Sequence, residues 1–449
     1  MRTKPPAAEE RMRVVYNLLI YLAAPIAFLF QFWRGLRDPS YRERRWERFG
    51  LGERFRDASI WVHAVSVGEV QAAAPLVRAL LRQYPATRLV LTTVTPTGAA
   101  RARLLFGESV VLRYVPFDLP GSVRRFFDGI RPCIAIIIET ELWPNLYAEC
   151  GRRAIPLVLA SARISPRSVR RYRWLVPLFR EALSHGIVIA AQSEADADRF
   201  RSIGANPART SVMGNIKFDF ELNPEVVKQG RAWREAHADV RPVWVAGSTH
   251  EGEERLVLDA HELVRQEQKD ALLVLVPRHP NRFAEVAALL DQRGVSWASR
   301  SAAAAVLPGT EVVLGDTMGE LTMFYAAADV AFVAGSLVPI GGHNLLEPAA
   351  VGVPVITGPH NFNGEDIHQK LVEAGVVLTV ADTGELSEVI AALLADGPRR
   401  RALGERGQRV VEENRGALDR LMALVVPLLG ERLGQRDEPG SETRRLHGG

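Results

Sequence analysis

The sequence predicts an α/β protein of two doubly wound domains facing across a cleft, with a membrane-anchor helix in front of them. Three observations predict it. Short apolar segments alternate with helical stretches along most of the chain, the pattern of a parallel sheet covered on both faces. The alternation restarts after a charged, turn-rich stretch near the middle, and 449 residues are too many for one ordinary domain but comfortable for two. Finally, Val14–Trp33 is a run of twenty residues without a charge.

Composition narrows the class. Apolar residues are 47% of the chain and charged residues 24%, with 36 glycines and 27 prolines, as expected of a turn-rich α/β protein with a sizeable core. The net charge of +4 suits anionic substrates or an anionic membrane surface, and does not by itself imply nucleic acid. Cys133 and Cys150 form neither a metal motif nor a disulfide framework, so a reducing compartment is the simpler reading.

Residues 1–35 are read as the anchor. VVYNLLIYLAAPIAFLFQFW is long enough as a helix, about 30 Å, to cross a bilayer. Asn17, Pro25 and Gln31 interrupt it, which keeps a surface-lying helix and a buried core helix open as alternatives. Arg11 and Arg13 precede it; Arg34 and Arg37 follow, with Arg42, Arg44, Arg45 and Arg48 close behind. The larger basic cluster is C-terminal, which places the body of the protein in the cytoplasm and basic residues near anionic lipid.

Residues 36–225 form the first domain. Ser59–Ser66 is a strand, and Glu69–Arg82 is the helix after it. Further apolar segments at 88–94, 111–115, 133–138, 155–160 and 186–191 continue the alternation. Polar residues just beyond strand ends line the cleft of such a sheet. Glu69 is one of them, placed to take a proton from a sugar hydroxyl, or equally to be a helix-end carboxylate that stabilises the dipole. The dipole lowers its pKa, so a base at this position needs burial to offset that. Thr92, Thr93, Thr95 and Thr97 are read as acceptor contacts or as N-caps. Glu139 and Glu141 stand at the mouth of the Ile136–Ile138 strand end, either fixing sugar hydroxyls or in an inert loop. In Ser161–Arg180, six arginines (Arg163, Arg167, Arg170, Arg171, Arg173 and Arg180) interleave with Tyr172, Trp174 and Phe179. No nucleic-acid fold frames them, and a membrane- or phosphate-facing helix or a solvated face fits better.

The domain boundary is placed within 222–242, and residues 226–429 form the second domain. Strands at 242–246, 272–276 and 311–314 lead into GSTHEGEE, PRHPNRF and GDTMGEL. Gly247, Ser248 and Thr249 make a phosphate-binding turn, with His250 and Glu251 capping it or contacting the ligand. Arg278 and His279 follow their strand at once, and the Arg278 fork suits a phosphate. Met318, Gly319 and Glu320 open another helix. The richest stretch is AGSLVPIGGHNLLEPAAVGVPVITGPHNFN, Ala334–Asn363. Its glycine-rich loop, including Gly341 and Gly342, allows tight turns and close approach to a ligand. His343 and Asn344 stand at a helix start whose free N–H groups suit a phosphate, and Glu347 is placed to accept ribose hydroxyls. No metal site is expected: the histidines show no HExxH, and Asp316 with Glu320 reads as an incidental pair. Residues 430–449 are polar, have little to bury and are expected to be disordered.

GGHNLLEPAAVGVPVITGPHNFN closely resembles the sugar-nucleotide-binding segment of 3-deoxy-D-manno-octulosonic acid (Kdo) transferases. SVGEV and GNIKFD resemble further segments of that family, and the likeness runs from about Val14 to about Leu421. It implies the B-type glycosyltransferase fold, two Rossmann-like domains facing across a cleft. It implies inverting transfer of Kdo from CMP-Kdo to a lipid A precursor, with Glu69 as the catalytic base. Lys217 of GNIKFD would meet a phosphate or the Kdo carboxylate, and the Met318–Glu320 loop would lie near the nucleotide base. The donor set is then Ser248, Thr249, Lys217, Arg278, His279, Met318, Gly319, Glu320, Gly341, Gly342, His343, Asn344 and Glu347. No cofactor beyond the CMP-Kdo substrate and no metal is implied. The implied partners are CMP-Kdo, lipid A precursor and anionic inner-membrane lipid, without nucleic acid, and the catalytic domains lie on the cytoplasmic side. The alternatives are a related B-type transferase or epimerase, and a membrane-attached nucleotide-sugar binder without catalysis.

Overall fold

The computed structural model describes residues 7–37, 41–166, 168–169 and 186–434. The chain divides into two compact units, Met1–Phe220 with Arg415–Gly449, and Glu221–Asn414.

The first unit is built on seven parallel strands: β1 (Ser59–His63), β2 (Arg88–Thr93), β3 (Val111–Tyr114), β4 (Pro132–Ile138), β5 (Leu157–Ala162), β6 (Val188–Ala191) and β7 (Thr210–Val212). Their order is β3-β2-β1-β4-β5-β6-β7. Alternate residues of each strand feed two separate cores, one on each face of the sheet. Ile60, Val62, Ile134, Ile136 and Ile138 enter one core; Trp61, Ala135 and Ile137 enter the other. Burial on both faces is why these strands read as continuous apolar runs.

The second unit repeats the plan with β8 (Val243–Thr249), β9 (Leu272–Pro277), β10 (Trp297–Ser299), β11 (Val312–Leu314), β12 (Val330–Val333), β13 (Val355–Thr357) and β14 (Val377–Thr379). The order is β10-β11-β9-β8-β12-β13-β14, again parallel throughout. Trp244, Ala246, Leu273, Leu275, Val330 and Phe332 carry one face of the core. On another side the helix Pro224–Ala238 packs Trp233 edge-on against Phe324 at 5.7 Å.

The second unit ends earlier than the expected 429. The helix Ala417–Gly434 belongs to the first unit, where Ala417, Leu421, Val425 and Leu429, one turn apart, join the core beside β1 and β4. Asp219 fastens its start, accepting the N–H groups of Gly416 at 2.6 Å and Leu418 at 2.7 Å. Residues 430–434 continue this helix, and the rest of the expected tail lies outside the described residues.

The expected anchor is helical over Ala7–Arg37, but it is not a free-standing span. Among the described residues no helix is long and apolar enough to cross a membrane. One side of this helix packs along the first unit. Tyr16 donates to Asp118 at 2.8 Å, Asn17 accepts from the Asn145 amide at 2.7 Å, and the Phe28 ring meets Phe49 at 5.9 Å. Asp118 also accepts the N–H groups of Asn145 and Leu146, and its burial pushes its pKa up to about 7. The opposite side exposes Val15, Leu18, Leu22, Ile26, Leu29 and Trp33, spaced three or four apart, as one apolar stripe.

Candidate functional site

In a doubly wound sheet, ligands sit beyond the carboxyl ends of the two strands where the chain's crossings diverge. In the first unit those strands are β1 and β4, neighbours with the register His63↔Ile137. Glu69 follows β1. Ser66 caps the helix Val67–Gln83 by accepting the Glu69 N–H, and the Glu69 carboxylate turns back to accept the Val65 N–H at 2.8 Å. That is a capping box displaced by one residue, the carboxylate reaching Val65 rather than the N-cap Ser66, so the helix-end reading of Glu69 is present in the geometry. Yet burial outweighs those hydrogen bonds. Desolvation, with Glu139 and Glu141 adding negative charge nearby, raises the Glu69 pKa to about 7. The same carboxylate therefore has a cap's position and a base's proton affinity.

Glu139 and Glu141 arrive from β4. Glu139 takes a left-handed backbone, φ +59°, uncommon for a residue with a side chain and often found where a loop is held for function. It pairs with Lys217 at 2.9 Å, while Glu141 accepts from the Trp143 indole at 2.7 Å. Lys217 rides on the short turn Ile216–Asp219, whose start Asn215 caps. The structure thus seats Lys217 in the first unit beside a carboxylate, whereas the resemblance grouped it with the donor residues. Of the threonines, Thr95 caps the helix Pro96–Phe106 through the Gly98 N–H. Thr92 is buried and bonded to the Trp61 indole and to His63. His63 is fully buried and neutral, its pKa driven down to about 4 by desolvation, and its Nε2 has no partner among the described residues. The arginine-rich segment after Ser161 lies mostly outside the described residues; Arg163, at its start, is described.

In the second unit the diverging strands are β8 and β12, in register Gly247↔Val333. Ser248 stands at φ +64°, and Thr249 is fully buried with its hydroxyl unpartnered among the described residues. Gly247 is required by packing, since a Cβ there would lie 2.2 Å from the Tyr325 hydroxyl. Just beyond, His250 Nε2 meets His343 Nε2 at 2.8 Å, and the His279 ring lies edge-on to His250 at 5.4 Å. Burial, with Arg278 and the neighbouring imidazoles, lowers His250 to about 4 and His343 to about 3.

The glycine-rich loop differs from expectation. Its first amides do not await an anion: Glu253 fills that position, accepting from Gly335 at 2.6 Å, Ser336 at 3.1 Å and Leu337 at 3.0 Å. The N–H groups of Gly341 and Gly342 both bond the Gly335 carbonyl. The close approach these two glycines permit is to Asn363 and Asn361, whose side-chain atoms would lie 2.5 Å from an added Cβ. Asn344 accepts the Leu346 N–H and donates to Glu347 at 2.9 Å, and Thr322 reaches the other Glu347 oxygen at 3.3 Å. The helix opening there, Leu346–Val351, is only six residues long. Glu320 is likewise engaged, gripped by both arms of Arg300 at 2.8 and 3.0 Å, while Asp316 ties down Ser299 and Ser301. At that loop Gly319 turns at φ +88°, and Met318 stands 60% exposed, leaving it as the side chain available to a ligand. Glu253 was missed from the sequence; its place three residues after His250, at a helix start, is the only local sign of it.

Two family profiles cover the two units. One, described as 3-deoxy-D-manno-octulosonic-acid transferase (kdotransferase), matches residues 43–220; the other, glycosyl transferases group 1, matches residues 246–410. A 3-deoxy-D-manno-octulosonic acid transferase of Haemophilus influenzae is 42% identical, over 93% of this chain and 99% of that one. The chain belongs to the Kdo transferase family. A second transferase of that name, from Bordetella pertussis, is 38% identical over 93% of this chain and all of its own length. Among solved structures, a UDP-GlcNAc 2-epimerase from Neisseria meningitidis bound to UDP-GlcNAc superposes with a TM-score of 0.52 at 14% identity, over 83% of this chain and 100% of that one. That likeness concerns fold alone, and agrees with two parallel-sheet α/β domains of the B-type glycosyltransferase kind.

Proposed function

We propose that this family member moves Kdo from CMP-Kdo onto a lipid A precursor, with inversion at the anomeric carbon, as a step of lipopolysaccharide core assembly. The acceptor is read as the first unit's ligand and the donor as the second unit's. The observation that carries the reading is the Glu69 carboxylate, set at the divergence of β1 and β4 with its pKa raised to about 7. A base with that proton affinity can hold the acceptor hydroxyl's proton as the bond forms, near the operating pH. In the step, the acceptor oxygen bonds the anomeric carbon, the bond from that carbon to the phosphate oxygen breaks, and CMP leaves with the electron pair. The hydroxyl proton passes to Glu69. Lys217 pairs with Glu139 and tempers the negative charge around Glu69. Arg278, a cation with no side-chain partner among the described residues, faces the departing phosphate, and Thr249 offers it a free hydroxyl. Met318 and Glu347 are left for the base and the ribose.

We also place the protein at the inner membrane with both units on the cytoplasmic side. Support comes from the exposed apolar stripe of the Ala7–Arg37 helix and the exposed arginines Arg42 and Arg45 beyond it; Arg48, also expected there, is buried against Tyr114, and Arg44 pairs with Glu47. A helix packed lengthwise on a domain, with its free face apolar, suits burial in the headgroup boundary better than a crossing. The test of the activity is the mass of the lipid product after incubation with CMP-Kdo and tetraacyl lipid A precursor. Lipid lacking added Kdo at full enzyme concentration would remove the reading.

A further inference from the structure

His250 and His343 come from loops 93 residues apart and meet nitrogen to nitrogen at 2.8 Å, their rings 5° from parallel. That separation is shorter than van der Waals contact and is a hydrogen bond, so one Nε2 carries a proton and the other offers its lone pair. The chemistry of this contact sets the pair's capacity. A proton added to the outer nitrogen of the donor ring leaves the N–H···N bond intact and strengthens it. A second added proton would set two N–H groups against each other. The pair can therefore hold one positive charge and no more.

The surroundings keep it neutral when empty. Desolvation comes first, followed by Arg278 and His279 from the loop after β9, and by Arg282, which acts on His250. Negative groups nearby are few and engaged. Glu253 accepts the His250 N–H at 3.3 Å and the loop amides, while Glu251 and Glu254 lie against Arg282. Gly335 makes room for the contact, since a Cβ there would sit 3.0 Å from His343 Nε2. An anion at the divergence of β8 and β12 finds most of the loop's amides bonded within the protein. Its charge must be met largely by side chains: Arg278, and the imidazoles of His250, His343 and His279, of which only the first two are joined nitrogen to nitrogen.

We infer that the His250–His343 pair takes up a proton when the nucleotide phosphate binds, so that the anion is held by one permanent and one acquired positive charge. The inference rests on the CMP-binding reading of the second unit. The proton comes from solvent, remains on the pair while the phosphate is bound, and returns when CMP departs, so no net proton is consumed per turnover by this pair.

The experiment is calorimetric titration of CMP into the full chain at pH 6.5, in buffers of differing ionisation enthalpy. Phosphate monoesters have a second pKa near ~6, so a phosphate held by fixed cations alone sheds protons on binding. The pair predicts the opposite sign, a net uptake of up to about one proton on the pair less the roughly quarter-proton the phosphate gives up at this pH. CMP affinity should also tighten as pH falls from 8 to 6.5, by up to about tenfold per unit. His250→Asn and His343→Asn should each bind CMP more weakly and lose the uptake, while Glu69→Gln should keep it. CMP binding with proton release, or with affinity independent of pH in the unaltered protein, overturns the inference and leaves the donor site standing. No CMP binding at all overturns both.

Discussion

Replacing Glu69 by glutamine separates a base from a cap. In the folded protein this carboxylate accepts the Val65 N–H at 2.8 Å and lies 3.4 Å from the Ser66 hydroxyl. Glutamine retains an acceptor for Val65 and is itself accepted at that position of a capping box. Loss of the cap contact itself should therefore cost no more than about 1 kcal/mol, apart from the pH-dependent contribution of the ionised carboxylate. The proton affinity is what glutamine abolishes. With its pKa at about 7, the native carboxylate is roughly half ionised at neutral pH and able to accept the hydroxyl proton. Loss of a positioned base slows the chemical step by about 10²–10⁴-fold. The sign with pH follows from the direction of the shift. An acid raised in the folded state is a base only above that value, so the transfer rate should climb as pH rises through about 7 and level off beyond. The glutamine variant should lack that limb. Stability runs the other way: ionising a carboxylate whose folded pKa is raised weakens the fold between the unfolded value of 4.5 and about 7. Relative to the parent, the variant's melting temperature should thus improve from pH 5 to pH 8. The assay is single-turnover transfer with saturating CMP-Kdo and lipid acceptor across that range, beside melting curves. A folded variant transferring at the parental rate with the same pH limb would refute the role, and Glu139 and Glu141 would be tested next.

Arg278→Ala removes the permanent cation at the second unit's strand ends and should weaken CMP binding by about 1.5–3 kcal/mol, read by calorimetry; unchanged affinity in a folded variant would refute the contact. Lys217→Met leaves the negative charge of Glu139 untempered near Glu69, so the rising limb of the pH–rate profile should move above its parental position; a limb that stays put would show that Lys217 does not set the base's surroundings. Leu18→Glu with Leu22→Glu places charge on the exposed stripe and should shift the protein from the membrane fraction to the soluble one, each leucine carrying about 1.5–3 kcal/mol of apolar burial; undiminished sedimentation with membranes would exclude that face as the attachment.

The long apolar strands were legible because burial on both faces leaves no polar interruption, as in β4, where all seven residues are buried. The strands missed are β7, β10 and β14, three-residue strands at sheet edges that are only partly buried and so not apolar throughout, whereas β11, as short but fully buried, was legible. The terminal helix was assigned to the wrong unit for a related reason. Its apolar stripe announces that it packs, but nothing local says against what. The packing of Ala417, Leu421, Val425 and Leu429 beside β1 and β4, and the N–H groups of Gly416 and Leu418 that Asp219 accepts, show the chain returning to the first sheet. The N-terminal run was read for length and apolarity; Asn17, which bonds Asn145, was read only as an interruption of a span, and Tyr16, which bonds Asp118, was not singled out.

The site was legible to the extent that it depends on which residue follows which strand. Glu139 and Arg278 stand directly after strands, Ser248 is the penultimate residue of β8, and Glu69 lies in the first turn of the helix after β1, so sequence order is enough to name them. What sequence order does not give is which strand ends meet. Right-handed crossings require that a doubly wound sheet grow outward in both directions from its first strand. The loops that meet at the divergence are then those of β1 and β4 in one unit and of β8 and β12 in the other. That rule explains why Glu69 shares its surroundings with Glu139, while Thr95, one strand aside, is free to serve as a cap. It also explains why the glycine-rich loop misled. Its glycines do mark close approach, but the approach is to Asn361 and Asn363, and its amides are taken by Glu253 from the loop after β8. On the proposed donor reading, a loop so committed serves mainly to position side chains, and the anion's charge is met by Arg278 and, by the inference above, the two imidazoles beside it.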